Sequence, residues 1–239
     1  MRATIVIFAL LVLASPLAAR EATLDADFIV TNRLHTFSLA DRTPGDLCEA
    51  CNNHYYWTVD GWLLGNEAYK TYCDPSECPE CVGGWKPISV TIYLYWAEEN
   101  TCELTLSVDV EEVDLSVPDC PMPGALIAES DPVVVGPFSP AGLWAITIPL
   151  PEDCPVLGEP FFASVSFLDA CDAMPALVTD EGPCLPCLTW NDWGSGWQDL
   201  CDYSFPGNLS VYTTLECQGP SPVERTTWTT IKNSFRSVE

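Results

Sequence analysis

The chain is poor in positive charge. Lysine and arginine together number 9 among 239 residues, against 34 aspartates and glutamates, and the formal net charge is −25 at pH 7. A chain this acidic repels polyphosphate and anionic lipid, which argues against nucleic acid and anionic membrane surfaces as partners. The charge does not indicate disorder, because 48% of the residues are hydrophobic and such a chain can form a core.

Histidine is also scarce, which limits the catalytic mechanisms open to the protein. A Ser-His-acid or Cys-His hydrolase would have to use His35 or His54. Residues 194–196, Gly-Ser-Gly, lack the spacing of a GxSxG nucleophile elbow. The ExDxxE pattern of laminarinase-like glycosidases is matched at residues 112–117 except for its last acid, where Val117 stands. We therefore predict no catalytic residue.

A long apolar run is missing everywhere except at the N-terminus. There, residues 4–13 are almost wholly apolar, follow Arg2, and are followed by small residues up to Ala19. Because a membrane span needs about 20 apolar residues, this run predicts a signal peptide over residues 1–19 rather than a short membrane anchor. The mature protein is then secreted, extracellular or at the cell surface, with the periplasm as an alternative, and has no membrane span.

Cysteine, in contrast, is abundant, and behind a signal peptide it predicts a disulfide framework. Since 13 is odd, at least one thiol is free or pairs between chains. A zinc site built from two of the three CxxC pairs is the alternative, although their separation of 26 residues exceeds the usual ~15–20. The candidates for disulfides are Cys48, Cys51, Cys73, Cys78, Cys81, Cys102, Cys120, Cys154, Cys171, Cys184, Cys187, Cys201 and Cys217.

Period-two alternation predicts β structure. Apolar residues alternate with polar or tyrosine residues over 88–96 and 103–110, and the short polar segment 97–101 between them predicts a hairpin. Weaker strand signals lie at 28–30, 143–148, 161–167 and 208–216, and Asp60-Gly61 predicts a second hairpin between 55–59 and 62–64.

The predicted fold is an all-β, disulfide-stapled antiparallel β-sandwich, jelly-roll-like in type. The ten prolines of residues 118–160 exclude a helix there and suggest rigid loops at edge strands. We assign residues 20–27 to a lead-in and 28–218 to the sandwich domain. Residues 219–239 form a linker and tail, in which Trp228, Ile231 and Phe235 have the spacing of an amphipathic C-terminal helix. The tail either docks on the acidic body or serves as a sorting or anchoring tag.

The segment most suggestive of a ligand site is residues 189–199. Aromatic faces stack on sugar rings, and neighbouring amides and carboxylates bind hydroxyl groups. The alternative is that the tryptophans form a satellite core under a disulfide-stapled loop, and sugar binding would fail if all three were buried. We expect no cofactor; the acidity allows calcium binding, although no spaced set of ligands indicates it. The candidate ligand-binding residues are Trp190, Asn191, Asp192, Trp193, Trp197 and Asp199.

Several segments resemble a recurrent secreted β-sandwich module of uncharacterised exported bacterial proteins. They are residues 65–70, 74–75, 121–124, 175–180 and 205–209, together with a tail at 227–236 similar to a TxWxxIKxx[FY]R signature. The resemblance covers most of the mature chain. It implies a secreted bacterial protein and no particular activity.

Three functions from different classes are open at this point. The first is a secreted non-catalytic binding module for a carbohydrate or another cell-surface ligand. The second is a structural cell-surface or filament subunit that self-associates through an unpaired cysteine or the tail. The third is an extracellular hydrolase.

Overall fold

The computed structural model describes residues 34–38, 47–79, 81 and 83–218. The predicted signal peptide, the lead-in, the strand at 28–30 and the C-terminal helix and tail lie outside these residues. Within the described part no helix is long or apolar enough to cross a bilayer. The helical structure there consists of two single-turn 3₁₀ segments, Pro75–Glu77 and Leu200–Tyr203.

The described residues form two seven-stranded sheets, which confirms the predicted all-β sandwich. The strands are β1 (Leu34–Ser38), β2 (Leu47–Cys51), β3 (Trp57–Val59), β4 (Glu67–Cys73), β5 (Trp85–Trp96), β6 (Leu104–Asp114), β7 (Met122–Glu129), β8 (Val133–Val135), β9 (Gly142–Pro149), β10 (Phe161–Phe167), β11 (Ala176–Thr179), β12 (Thr189–Asp192), β13 (Gln198–Asp199) and β14 (Val211–Cys217).

Sheet I runs β1-β9-β5-β11-β3, with β14 pairing to β5 and β2. Sheet II runs β13-β12-β4-β10-β6-β7, with β8 also beside β6. All described pairings are antiparallel except that of β1 with β9, which is parallel. Strands β9, β10 and β14 confirm the weaker predictions, although β14 begins at Val211 rather than at residue 208.

The core lies between the sheets and contains the strand faces that the alternation predicted to be inward. Val90, Ile92 and Leu94 of β5 are fully buried, as are Leu104 and the other inward residues of β6. Side chains alternate across a pleated strand, so the inward set follows from local sequence. The opposite face of β5 is also largely buried, because side chains of the flanking strands, such as Leu143 of β9 and Val178 of β11, pack with Tyr93 on that face.

The predicted hairpin of residues 88–96 and 103–110 is wrong. Strand β5 lies in sheet I and β6 in sheet II, so the chain crosses from one sheet to the other between them. Their alternating faces meet across the core, and alternation carries no information about which strand is the hydrogen-bonded neighbour.

The second predicted hairpin is also wrong, although its turn is present. Gly61 has φ +65° and its N–H donates to the Asp60 carboxylate at 2.8 Å. The residues that follow form no strand, because Trp62 and Leu63 are drawn into the core and β3 pairs instead with β11.

Six disulfides confirm the predicted framework, and they engage all four cysteines of the zinc alternative. No CxxC pair bonds internally; each of its cysteines has a partner elsewhere in the chain. Cys154 remains free and is buried, 4% exposed. The disulfides are Cys48–Cys78, Cys51–Cys73, Cys81–Cys217, Cys102–Cys171, Cys120–Cys187 and Cys184–Cys201.

Candidate functional site

The predicted site segment forms a hairpin at the edge of sheet II, made of β12, β13 and the loop between them. One carboxylate oxygen of Asp192 accepts hydrogen bonds from the N–H groups of Gly194, at 2.7 Å, and Gly196, at 3.0 Å. Both glycines have left-handed φ angles, +95° and +91°, which other residues adopt only with strain. The Asp-Trp-Gly-Ser-Gly sequence therefore determines the loop conformation, and this carboxylate oxygen holds the loop.

The base of the hairpin is equally constrained. The two carboxylate oxygens of Asp199 accept from the N–H groups of Cys187, at 2.7 Å, and Cys201, at 3.0 Å. Disulfides from Cys187 to Cys120 and from Cys201 to Cys184 tie both flanks to other loops. Asp199 thus serves to position the hairpin, with both oxygens engaged.

Three of the other candidate residues are engaged in packing or hydrogen bonds within the protein. Trp190 is 6% exposed and its indole N–H donates to the Cys187 carbonyl at 3.2 Å. Asn191 is fully buried and donates to the Ala68 carbonyl at 3.0 Å. Trp193 is half-buried, with its ring edge-on to Trp62. The satellite-core alternative therefore describes Trp190 and Trp193, and Asn191 has no access to a ligand.

Trp197 covers a lysine on the outer face of sheet II, the face that Trp190 shares because it is opposite Lys70 in register. The Lys70 ammonium lies 4.4 Å from the centroid of the Trp197 ring. Trp197 is half-buried and is not part of the core between the sheets. The stacking of a cation on an aromatic face is attractive and is stronger where water is excluded.

Lys70 is 2% exposed and is held by two carboxylates. In register, Lys70 is opposite Ser164 on β10, which is opposite Asp109 on β6, so the three side chains share the outer face. The Lys70 ammonium lies 3.5 Å from Asp109 and also forms an ion pair with Glu111. We call Lys70, Asp109, Glu111, Ser164 and Trp197 the Lys70 site.

The Lys70 site contains polar atoms with unused bonding capacity. One carboxylate oxygen of Glu111 and the Ser164 hydroxyl are buried without a hydrogen-bond partner. Burial raises the pKa of Glu111 above its ordinary value, while the hydrogen bond and charge of Lys70 act to lower it. Sequence reasoning missed this cluster. The sequence feature that could have indicated it is the pair Asp109 and Glu111, which lie two positions apart on the outward face of one strand.

A second polar cluster, around Asp180, is internally satisfied. The Asp180 carboxylate accepts from the side chains of Asn52 at 3.2 Å and Asn208 at 3.1 Å. The Asn208 amide also donates to the Pro183 carbonyl, and its oxygen accepts from the Leu185 N–H. Asn208, the first residue of an Asn-Leu-Ser glycosylation sequon at 208–210, is 8% exposed and acts as a structural crosslink in the folded protein.

One histidine side chain, that of His54, lies within the described residues. His54 is exposed in the loop after β2, and the hydrogen bonds that it makes run through its backbone. The side chain of His35 lies outside what the structure describes. Within the described ranges, no group of three or more His, Cys, Asp or Glu residues could hold a metal ion.

The fold and site together define a disulfide-crosslinked β-sandwich with an aromatic-capped, charged cluster on one outer face. Residues 43–215 match the family described as "Domain of unknown function (DUF7451)", and the chain belongs to this family. No curated protein matches it.

A solved structure with a similar chain contains the cysteine protease and lectin-like domains of Cwp84, a surface layer associated protein of Clostridium difficile. The TM-score is 0.45 and the sequence identity 13%, over 74% of this chain and 37% of that chain. The aligned region is thus little more than a third of the Cwp84 chain.

Proposed function

We propose that the protein is an exported, non-catalytic binding module and that the Lys70 site, with Trp197 as its contact surface, binds carbohydrate. The observation that carries the proposal is the position of the Trp197 ring over the buried Lys70 ammonium. Because the cation covers one face of the half-buried ring, the ring surface left to solvent is the opposite face and its edge. An aromatic face of this kind stacks on the apolar face of a sugar.

Preorganisation supports binding at this ring. The hairpin that carries Trp197 is held by the Asp192 and Asp199 carboxylates and by two disulfides. A ligand that stacks on a fixed ring does not have to order it, so less conformational entropy is lost on binding.

The contacts of the carboxylates favour binding over hydrolysis. Asp109 and Glu111 are paired to the same lysine, and their side chains are only 10% and 13% exposed. A general acid or base must reach a proton on the substrate, and these two carboxylates are largely buried and share one lysine.

Export is supported by the six disulfides, since such bonds persist in oxidising compartments. The competing hypothesis, a structural cell-surface or filament subunit, loses one of its two arguments. Cys154 is the unpaired cysteine, and at 4% exposure it is not available to crosslink two chains.

The test is a glycan array probed with the mature chain, followed by titration of any glycan that binds. We expect Trp197→Ala to weaken binding by at least about tenfold, which corresponds to about 1.4 kcal/mol. Trp197→Phe should retain part of the affinity. Tyr55→Ala is the matched control, because Tyr55 is an aromatic residue, 41% exposed, packed beside Tyr93 of sheet I.

Two results would contradict the proposal. One is an array on which the folded wild-type chain binds no glycan. The other is a glycan that binds wild type and Trp197→Ala with equal affinity, which would locate the site elsewhere.

A further inference from the structure

An apolar cavity opens on the surface of the sandwich beside β6 and β7. Its volume is about 470 Å³, and its apolar lining includes Tyr72, Val113, Leu115, Ile127, Val156 and Leu157. Leu115 is 74% and Val156 49% exposed. Contiguous exposed apolar side chains on a soluble protein mark an interaction surface, because their exposure to water is unfavourable. Two acids, Glu112 and Glu159, also line this cavity.

The described chain ends beside the wall of this cavity. Cys217 is bonded to Cys81, and the N–H of Gln218 donates to the Gly84 carbonyl at 2.9 Å. The next residue, Trp85, exchanges two backbone hydrogen bonds with Leu157, at 2.9 and 2.7 Å. Gly84, Val156 and Leu157 line one continuous depression. The tail therefore starts next to the residues that form the cavity wall.

The sequence that follows has the composition that this cavity would accept. Residues 219–239 contain Trp228, Ile231 and Phe235, together with Arg225, Lys232 and Arg236. The described residues contain only two cations, Lys70 and Lys86. Trp228 is ten residues beyond Gln218, and an extended chain spans up to about 3.3–3.6 Å per residue, so the tail reaches the cavity easily.

We infer that residues 225–236 bind in this cavity of the same chain. Trp228 and its apolar neighbours fill the space between Leu115 and Val156, and the cations face Glu112 and Glu159. Attachment through Gln218 makes the interaction intramolecular, with an effective concentration in the millimolar range, so a modest affinity is sufficient. The tail is then a part of the folded domain that covers its exposed apolar surface.

Photo-crosslinking in the full mature chain tests this inference. Trp228 is replaced by benzoylphenylalanine, an aromatic residue of similar size, and the crosslinked peptides are mapped by mass spectrometry. We expect crosslinks within the monomer to residues 113–115, 127 or 156–158, with a yield independent of protein concentration. Crosslinks between chains, crosslinks to another surface, or no crosslink would each overturn the inference.

A pair of charge variants tests whether the cavity is responsible. Val156→Lys places an ammonium in the cavity wall, where it disrupts the apolar contact and repels the tail's cations, and we expect it to lower the crosslink yield at least about tenfold. Val134→Lys is the matched control, since Val134 is a valine on β8, 59% exposed and not part of this cavity. Equal yields from the two variants, both shown to be folded by circular dichroism, would overturn the inference.

Discussion

Replacing Lys70 with methionine tests whether the charge beneath Trp197 is as deeply buried as its contacts indicate. Methionine keeps the length and the apolar stem of lysine, so the packing under the Trp197 ring is largely preserved. The variant loses the ammonium that lies 3.5 Å from Asp109 and is paired with Glu111. Both carboxylates are then left facing each other with little solvent.

The magnitude follows from the burial of the three groups. Their side-chain exposures are 3% for Lys70, 10% for Asp109 and 13% for Glu111. Removing one partner of a buried ion pair costs about 3–5 kcal/mol, because the other charge remains without compensation. We expect the free energy of unfolding to fall by about that amount at pH 7. The triple variant Lys70→Met, Asp109→Asn, Glu111→Gln removes all three charges and should lose less than half as much.

The pH dependence gives a second check, whose sign follows from Glu111. Burial raises the pKa of this carboxyl above 4.5, and Lys70 acts against that shift. Without Lys70, the folded-state pKa rises further, so the folded variant binds more protons than the unfolded chain. Stability then falls as the pH rises from about 4.5 through the folded-state pKa, and the deficit is larger at pH 7 than at pH 4.

The assay is urea unfolding with the disulfides intact, followed by tryptophan fluorescence and circular dichroism at pH 4 and pH 7. Three results would refute the reasoning. They are a loss below about 1 kcal/mol at pH 7, a triple variant as unstable as the single one, and a deficit that is the same at both pH values.

The remaining predictions concern two buried polar groups. Burial raises the pKa of the Cys154 thiol, so we expect the native chain to react with Ellman's reagent about a hundredfold more slowly than an exposed thiol, and to release one thiol per chain in denaturant. Rapid reaction of the native chain would show that the site is open. Asn208→Ala removes hydrogen bonds to Asp180 and Leu185 and should lower the free energy of unfolding by about 1–3 kcal/mol. Asn53→Ala, which loses one exposed hydrogen bond to another side chain, should change it by less than about 0.5 kcal/mol, and equal losses would contradict a structural role for Asn208.

The strands were predictable where local pattern decides the structure. Strand β10 coincides with the predicted range 161–167, and the inward faces of β5 and β6 follow from their alternation. Pairing was not predictable in this way. The alternation over 88–96 and 103–110 is equally compatible with two neighbours in one sheet and with two strands facing each other across a core.

The candidate site was predictable in part. Residues 189–199 drew attention through their tryptophans and glycines, and in the structure they form one compact hairpin. Lys70 was missed because it occupies an outward strand position, where a lysine is ordinarily solvated. Its ammonium lies against Trp197, which is far away in sequence and is brought near Lys70 by the pairing of β12 with β4.

The sequence by itself determined the properties that depend on composition and on neighbouring residues. These are the β alternation, the acidity and the large, odd number of cysteines. Only the tertiary structure decided which cysteines pair, that Cys154 is the unpaired one, and that Lys70 lies between Asp109, Glu111 and Trp197. The physical reason is that each of these contacts joins segments far apart in the chain, and a local sequence pattern does not predict which distant segments come together.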